Sequence, residues 1–417
     1  MTSSLTVVRT GASTVNASLT RDTTISGHLT FSTTEVLCQT PIRDAGTFRY
    51  LYCMVSANGT SGSSTFKLRK SGADSAVGLT IAAGVTGGMV DSTNSESFAD
   101  TDEASYRLVT GAGGSVTFRD VSIQFDPTNK ADCISFLVAR GLFSMTANSD
   151  NQFFIPNGYI DSLHTVESER KLRVRAAGTV RDMAVYVSSN ARTSTTNFRP
   201  MLNGSPVGNN IQFAAGATGL VEDPTPEIAV AVGDDLYWRV TTGTGSGEAI
   251  TTAFASCTFA STRHEFLMIA GHGTGTTINA GATSYFSMAG RLFGEGNEDQ
   301  AELGFDGAQY CDFDFRVKDL NIWITVNTLD TTVDAIFLRK NRTSVPKIRI
   351  TTSTVGLLEA NSIWATFYGG GDTISYEVDC SSATAGSLSL LYISSVGCVH
   401  KAPPPPRAKR RVFQRSR

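Results

Sequence analysis

The chain repeats itself. Around Phe66 it reads FKLRKSG; Phe198 begins FRPMLNG 132 positions later, and Ile336 begins IFLRKNR a further 138 on. AAGVTG (82–87) returns as AAGATG (214–219) and, more altered, as TTSTVG (351–356). YRLVTGAGG from Tyr106, WRVTTGTGSG from Trp238 and YEVDCSSATAG from Tyr376 keep the same spacings. DAGTF (44–48) matches AAGTV (176–180), and FFIPNG (153–158) matches YFSMAG (285–290), with TTISG (23–27) as a weaker counterpart. Several anchors at one spacing predict one unit used three times, over residues 1–127, 128–261 and 262–400, with 401–417 left over. The joins, DPTNKADC (126–133) and ASTRHE (260–265), are short and hold no Gly/Ser linker. Units tied this closely are expected to pack against one another rather than swing freely.

Inside a unit the period is two. RYLYCMVSA (49–57), DMAVYVSS (182–189) and DLNIWITVN (319–327) are β-branched and aromatic runs bounded by turn residues, as strands are. SVTFRDVSIQF (115–125) and SLSLLYISSV (387–396) read as long closing strands. No apolar i, i+3, i+4, i+7 stripe extends beyond a turn or two. With 39 glycines punctuating the runs and only 18% charged residues, a coiled coil is excluded. The 41% hydrophobic content is enough for packed cores and argues against wholesale disorder. The predicted fold is all-β: three tandem antiparallel β-sandwich domains, jelly-roll-like, from an internal triplication. Phe66, Phe198 and Ile336 are expected to be equivalent and buried, as are Tyr106, Trp238 and Tyr376. Three short-linked sandwiches are expected to pack compactly with pseudo-symmetry, a ring being favoured over a linear stack. No apolar run reaches 18 residues, so no transmembrane helix is expected, and MTSSLTVVRTGAS shows no secretory signal.

The net charge of −3 conceals two opposed parts. Residues 401–417 carry Lys401, Arg407, Lys409, Arg410, Arg411, Arg415 and Arg417 and no acid, whereas the preceding 400 residues hold 28 basic and 38 acidic side chains, a balance of −10. Pro403–Pro406 form a polyproline II spacer, and Val412 and Phe413 sit among the cations. A tail of this kind suits docking, with Val412 and Phe413 as apolar anchors between arginine contacts. An acidic protein groove is preferred over nucleic acid, whose counterion release the same cations would also serve.

No catalytic constellation stands out. Gly233-Asp234-Asp235 pairs two carboxylates as a metal site does, but Thr101-Asp102-Glu103 and Gly371-Asp372-Thr373 hold the same place in the other copies, which makes it a turn before a strand. Gly243–Gly247 and Gly271–Gly275 lack the following helix that a phosphate loop needs, and both are expected to be turns. His28, His164, His264, His272 and His400 fall at non-equivalent places, and a zinc site needs three or four converging ligands. Asp100-Thr-Asp102-Glu103 and Glu295–Asp299 are expected to be solvated loop tips. Cys38, Cys53, Cys133, Cys257, Cys311, Cys380 and Cys398 follow no metal spacing and suggest reduced thiols. Asn16, Asn58, Asn203 and Asn341 head N-x-[ST] sequons that carry little meaning without a secretory signal. No enzyme activity, metal or cofactor is expected.

The cassette of apolar strand, (F/I)xLRK(N/S)G, Ala-Gly-x-Thr-Gly turn, Gly-Asp turn and (Y/W)RVxTGxGSG resembles β-sandwich modules of bacteriophage virion proteins: fibres, head decorations and baseplate parts. It covers about half of each copy. The third copy departs from it, with Arg342 where Gly72 and Gly204 stand. The resemblance implies a non-enzymatic virion structural protein, made in the host cytoplasm. Its tail residues Lys401, Arg407, Lys409, Arg410, Arg411, Val412, Phe413, Arg415 and Arg417 would engage other capsid or appendage subunits. A homo-oligomer is compatible with it, and no membrane is implied. The alternatives are a receptor- or glycan-binding adhesin of the same fold, and a coat protein whose C-terminal arm binds the genome.

Overall fold

The computed structural model describes residues 3–145, 152–160, 163–225, 227–243, 248–292, 294, 314–340, 343–360, 365–367 and 374–400. Among these the regular structure is strand, with two short 3-10 turns at Glu35–Leu37 and Glu167–Arg170. The first stretch comprises β1 (Ser4–Asn16), β2 (Thr20–Thr23), β3 (Gly27–His28), β4 (Thr40–Pro41), β5 (Gly46–Asn58), β6 (Ser64–Lys70), β7 (Ala73–Ile81), β8 (Gly87–Phe98), β9 (Glu103–Val109) and β10 (Ser115–Pro127). The second comprises β11 (Cys133–Met145), β12 (Gln152–Phe154), β13 (Gly158–Tyr159), β14 (Leu172–Arg173), β15 (Gly178–Asn190), β16 (Thr196–Leu202), β17 (Ser205–Pro206), β18 (Ile211–Phe213), β19 (Gly219–Asp223), β20 (Ile228–Val230), β21 (Asp235–Thr242) and β22 (Ile250–Ser261). The third comprises β23 (Glu265–Asn279), β24 (Thr283–Phe286), β25 (Gly290–Arg291), β26 (Asp314–Asn327), β27 (Val333–Lys340), β28 (Thr343–Ile350), β29 (Gly356–Ala360), β30 (Ala365–Phe367), β31 (Ile374–Asp379) and β32 (Ser387–His400).

One order of pairing recurs. The main strands of the first stretch run β1-β10-β5-β8 in one sheet and β2-β9-β6-β7 in another, all antiparallel. The second stretch runs β11-β22-β15-β19 and β12-β21-β16-β17, and the third runs β23-β32-β26-β29 and β24-β31-β27-β28. Facing sheets share a core. In the first stretch Phe48, Leu51 and Phe118 from one sheet pack with Phe66, Leu68 and Tyr106 from the other. The period-two pattern of STFKLRK sets this up, because Ser64, Phe66 and Leu68 point inward while Thr65 and Lys67 do not.

The expected core equivalents behave alike. Phe66, Tyr106, Phe198, Trp238 and Tyr376 are all buried. Phe66 stacks on Tyr106 with centroids 5.3 Å apart, and Trp238 stacks on Phe154 at 6.0 Å. Phe66 pairs with Leu108, Phe198 with Val240 and Ile336 with Val378, the same register each time. The side chain of Ile336 lies outside the described residues.

Unusual backbone conformations recur as well. Tyr50, Asp182 and Asp319 each have φ of +54°, at the register shift that bends β5, β15 and β26. Asn58, Asn190 and Asn327, each at or next to the end of those strands, do one further common job. Asn58 Nδ2 donates to the carbonyls of Ala82 and Val85 (2.9 and 3.0 Å), and Asn190 Nδ2 to those of Ala214 and Ala217 (3.0 and 2.8 Å). Asn327 Nδ2 donates to Thr351 (2.9 Å). These carbonyls belong to AAGVTG, AAGATG and TTSTVG, so the altered third turn is held by the same amide as the other two.

One expectation is corrected. Gly271–Gly275 is not a turn between strands, because these residues run within β23 where its register against β32 shifts between Gly271 and Thr276. β1 and β11 shift at the matching point, between Arg9 and Ser13 and between Arg140 and Phe143. Glycines there serve a bulge, a role that a Gly-rich string shares with a hairpin loop in sequence.

Candidate interaction site: the joints and the axis between units

The three stretches meet at their shortest strands. TTISG, IPNG and SMAG each end on a glycine in the left-handed region, Gly27 (φ +82°), Gly158 (φ +110°) and Gly290 (φ +88°), and each feeds a two-residue strand. β3 pairs in parallel with β1 and packs against β11. β13 pairs in parallel with both β11 and β23, and β25 pairs with β23 and packs against β1. Each short strand thus joins its own stretch to the next, and the third returns to the first. β3, β13 and β25 also touch one another in all three combinations, so they define a common axis.

At that axis the second residue of each short strand is His28, Tyr159 or Arg291. The Tyr159 ring lies 4.2 Å from the His28 ring and 5.2 Å from that of His272, centroid to centroid. The Arg291 guanidinium sits 4.5 Å above Tyr159, within cation–π range, and its Nη2 is 3.3 Å from His272 Nε2. A guanidinium only donates, so this contact uses the neutral His272 ring with Nε2 as acceptor. Asn157, also buried, ties the second and third units: its Nδ2 donates to Ile269 O (2.8 Å), and its Oδ1 accepts from Val138 N (3.0 Å).

Farther out, the joints repeat. Arg43 of the first stretch pairs with Glu222 of the second at 2.5 Å, and Arg175 of the second pairs with Glu359 of the third at 3.2 Å. Arg175 stands 132 positions after Arg43, and Glu359 stands 137 after Glu222. Val90 takes the place of these acids in the first stretch, and with Tyr52 and Met54 it packs against the apolar cluster of the third. Among the described residues, the first two joints carry these ion pairs and the third is apolar at this point. At the first joint Arg181 is shared by Asp44, Asp132, Asp182 and Glu227. Burial there pushes the Asp182 carboxyl up to about 6, with Asp44 adding to the effect and Arg181 opposing it.

Sequence reasoning singled out a different site. Lys401, Arg407, Lys409, Arg410, Arg411, Val412, Phe413, Arg415 and Arg417 all lie outside the described residues. Asp234 does sit in a turn: its Oδ2 accepts from Ala231 N at 2.7 Å, as Asp102 Oδ2 does from Ala99 N, while Asp235 pairs with Arg173 at 2.6 Å. Residues 244–247 and 295–299, Asp372 and Cys311 lie outside the described residues. Cys38, Cys53, Cys133, Cys257, Cys380 and Cys398 are free thiols. Among the described residues no three His, Cys, Asp or Glu side chains converge as metal ligands, and no helix is long and apolar enough to cross a membrane. The axis went unnoticed in sequence because its three residues differ chemically. The signal that marks it is the Gly at the end of TTISG, FFIPNG and YFSMAG.

No protein-family model and no curated protein matches the chain.

Proposed function

We propose that this protein is a non-enzymatic structural component of a virus particle, of the kind found in bacteriophage decorations, fibres or baseplates, and that it is made in the host cytoplasm. The orders β1-β10-β5-β8 and β2-β9-β6-β7 are those of a jelly roll, and their recurrence supports three copies over 1–127, 128–261 and 262–400. The observation that carries the reading is the closed circuit of contacts through β3, β13 and β25. Jelly-roll modules often assemble as rings of three, and on this reading one chain supplies all three members. Such a block is stiff and presents three related but non-identical faces, which suits a building part in a particle.

The basic tail then serves as the anchor. Its +7 charge against a body of −10 favours an acidic neighbouring subunit, with Phe413 and Val412 filling apolar niches between arginine contacts. The same charge favours a second reading, a coat protein whose arm binds the genome, with affinity that falls steeply as salt rises. Deleting residues 401–417 separates the two. The anchor reading expects a folded protein that no longer enters particles, whereas the genome-arm reading expects intact particles with poorly packaged nucleic acid. A truncated protein that enters and packages normally defeats both.

A further inference from the structure

A cavity of about 70 Å³ opens at the first joint, between the loop after β3 and the strands β11 and β22. Thr30, Phe31, Ser32 and Leu37 form its half-buried rim; Arg140 and Ala253 form the wall. Arg140 is 5% exposed, yet its guanidinium meets only neutral acceptors. Nη1 donates to Leu37 O (2.7 Å), Nη2 donates to Thr30 O (3.2 Å) and lies 3.2 Å from Cys38 Sγ, and Nε has no partner. Among the described residues no carboxylate comes within ion-pair distance of Arg140. Asp22, whose charge acts on the same Cys38 thiol, has both its oxygens on Arg107 (2.8 and 3.3 Å).

A buried cation without a counter-charge is costly, and proteins normally supply the missing anion from a side chain or a ligand. Here the space beside the cation is left open. It is several times the room one water needs, and among the described residues the Thr30 hydroxyl has no protein partner at its rim. We propose that this cavity binds a small oxyanion, a phosphate or carboxylate group, held by the Arg140 guanidinium and the Thr30 hydroxyl. Planar guanidinium donors match such oxygens better than a point charge does. Because the rim comes from the first unit and the cation from the second, the bound anion would also pin the joint.

The test is calorimetric titration of the full-length protein at pH 7, with sodium phosphate in one arm and sodium formate in the other, in sodium chloride of matched ionic strength. The expected result is one-to-one binding of at least one of them with Kd of about 1 mM or tighter. The arm that binds tells a tetrahedral from a planar ligand. Arg140→Lys should weaken binding by about tenfold or more. Ala253→Leu keeps the cation and fills the space, and it should abolish binding; Thr30→Val, at the rim, should weaken it without threatening the fold. Absence of binding in both arms overturns the proposal. So does binding that Ala253→Leu and Thr30→Val, shown to be folded by thermal unfolding, leave unchanged.

Discussion

Asp182 lies 3.5 Å from the guanidinium of Arg181, and the carboxylate that shares this guanidinium, Asp44, comes from the opposite side of the first joint. Two acids therefore compete for one cation in a half-buried setting, with Asp132 and Glu227 also at its edge. Burial raises both carboxyls, Asp182 to about 6.

The sign of the resulting pH dependence follows. A carboxyl whose folded pKa exceeds its ordinary 3.8 holds a proton in the fold that it has already lost when unfolded. Between about pH 4 and 6 the folded state binds more protons, so this group's contribution to stability falls as pH rises and stays low above 6. Asp182→Asn removes the charge, keeps the shape and tolerates φ of +54°. Its melting temperature should exceed that of the parent at pH 7.5 and match it at pH 4. Parallel unfolding curves for the two proteins across that range would refute the assignment.

Glycine at the axis permits a close approach. A Cβ on Gly158 would lie 2.6 Å from the Gly271 carbonyl oxygen, across the joint between the second and third units, and φ is +110°. Gly216 has φ of +71° but nothing within 4 Å of the same position. Gly216→Ala should therefore cost only the backbone strain, about 1–3 kcal/mol. Gly158→Ala should cost more, because the β13–β23 pairing must also part. Equal losses in thermal unfolding would mean that the contact at Gly158 does not hold the joint.

Much of the fold was legible because two periods coincide in the sequence. The period of two placed Phe66, Phe198, Tyr106, Trp238 and Tyr376 on inward faces, and the longer spacing aligned them. The circuit through the axis was less legible. His28, Tyr159 and Arg291 have no common chemistry, and each stands in a two-residue strand too short for periodicity to register. Gly271–Gly275 misled for a related reason: glycine marks a bulge as readily as a turn. The ion pairs Arg43–Glu222 and Arg175–Glu359 were hidden because each joins residues far apart in the chain, and in the first unit the acid is replaced by Val90. Asn58 drew notice only as the head of a sequon.

Phe198 tests the core of the second unit on its own. It is fully buried, packs at 5.8 Å centroid distance against Phe213, and pairs with Val240 across β16–β21. Phe198→Ala should destabilise by about 3–5 kcal/mol. Val85→Ala, at an exposed turn, should change stability by no more than about 0.5 kcal/mol. Denaturant unfolding of both variants checks the pair, and a small effect at Phe198 would undo the register on which the equivalence of the units rests.

The three asparagines offer the sharpest local test. Asn190 Nδ2 satisfies Ala214 O and Ala217 O, and its Oδ1 accepts from Arg192 N at 3.0 Å. Replacing it by alanine strands these groups in a partly buried setting, at a cost of about 1–3 kcal/mol. The loss should be confined to the turn that the side chain holds. Within that turn Ala217 N donates to Ala214 O at 3.1 Å, the same bond that Val85 N makes to Ala82 O in the first unit. Hydrogen exchange should therefore quicken at the Ala217 amide in Asn190→Ala and leave the Val85 amide untouched, with Asn58→Ala giving the converse. Only paired, reciprocal changes support one amide device used in both turns. Uniform acceleration at both amides in either variant would mean that the asparagines act through global stability instead.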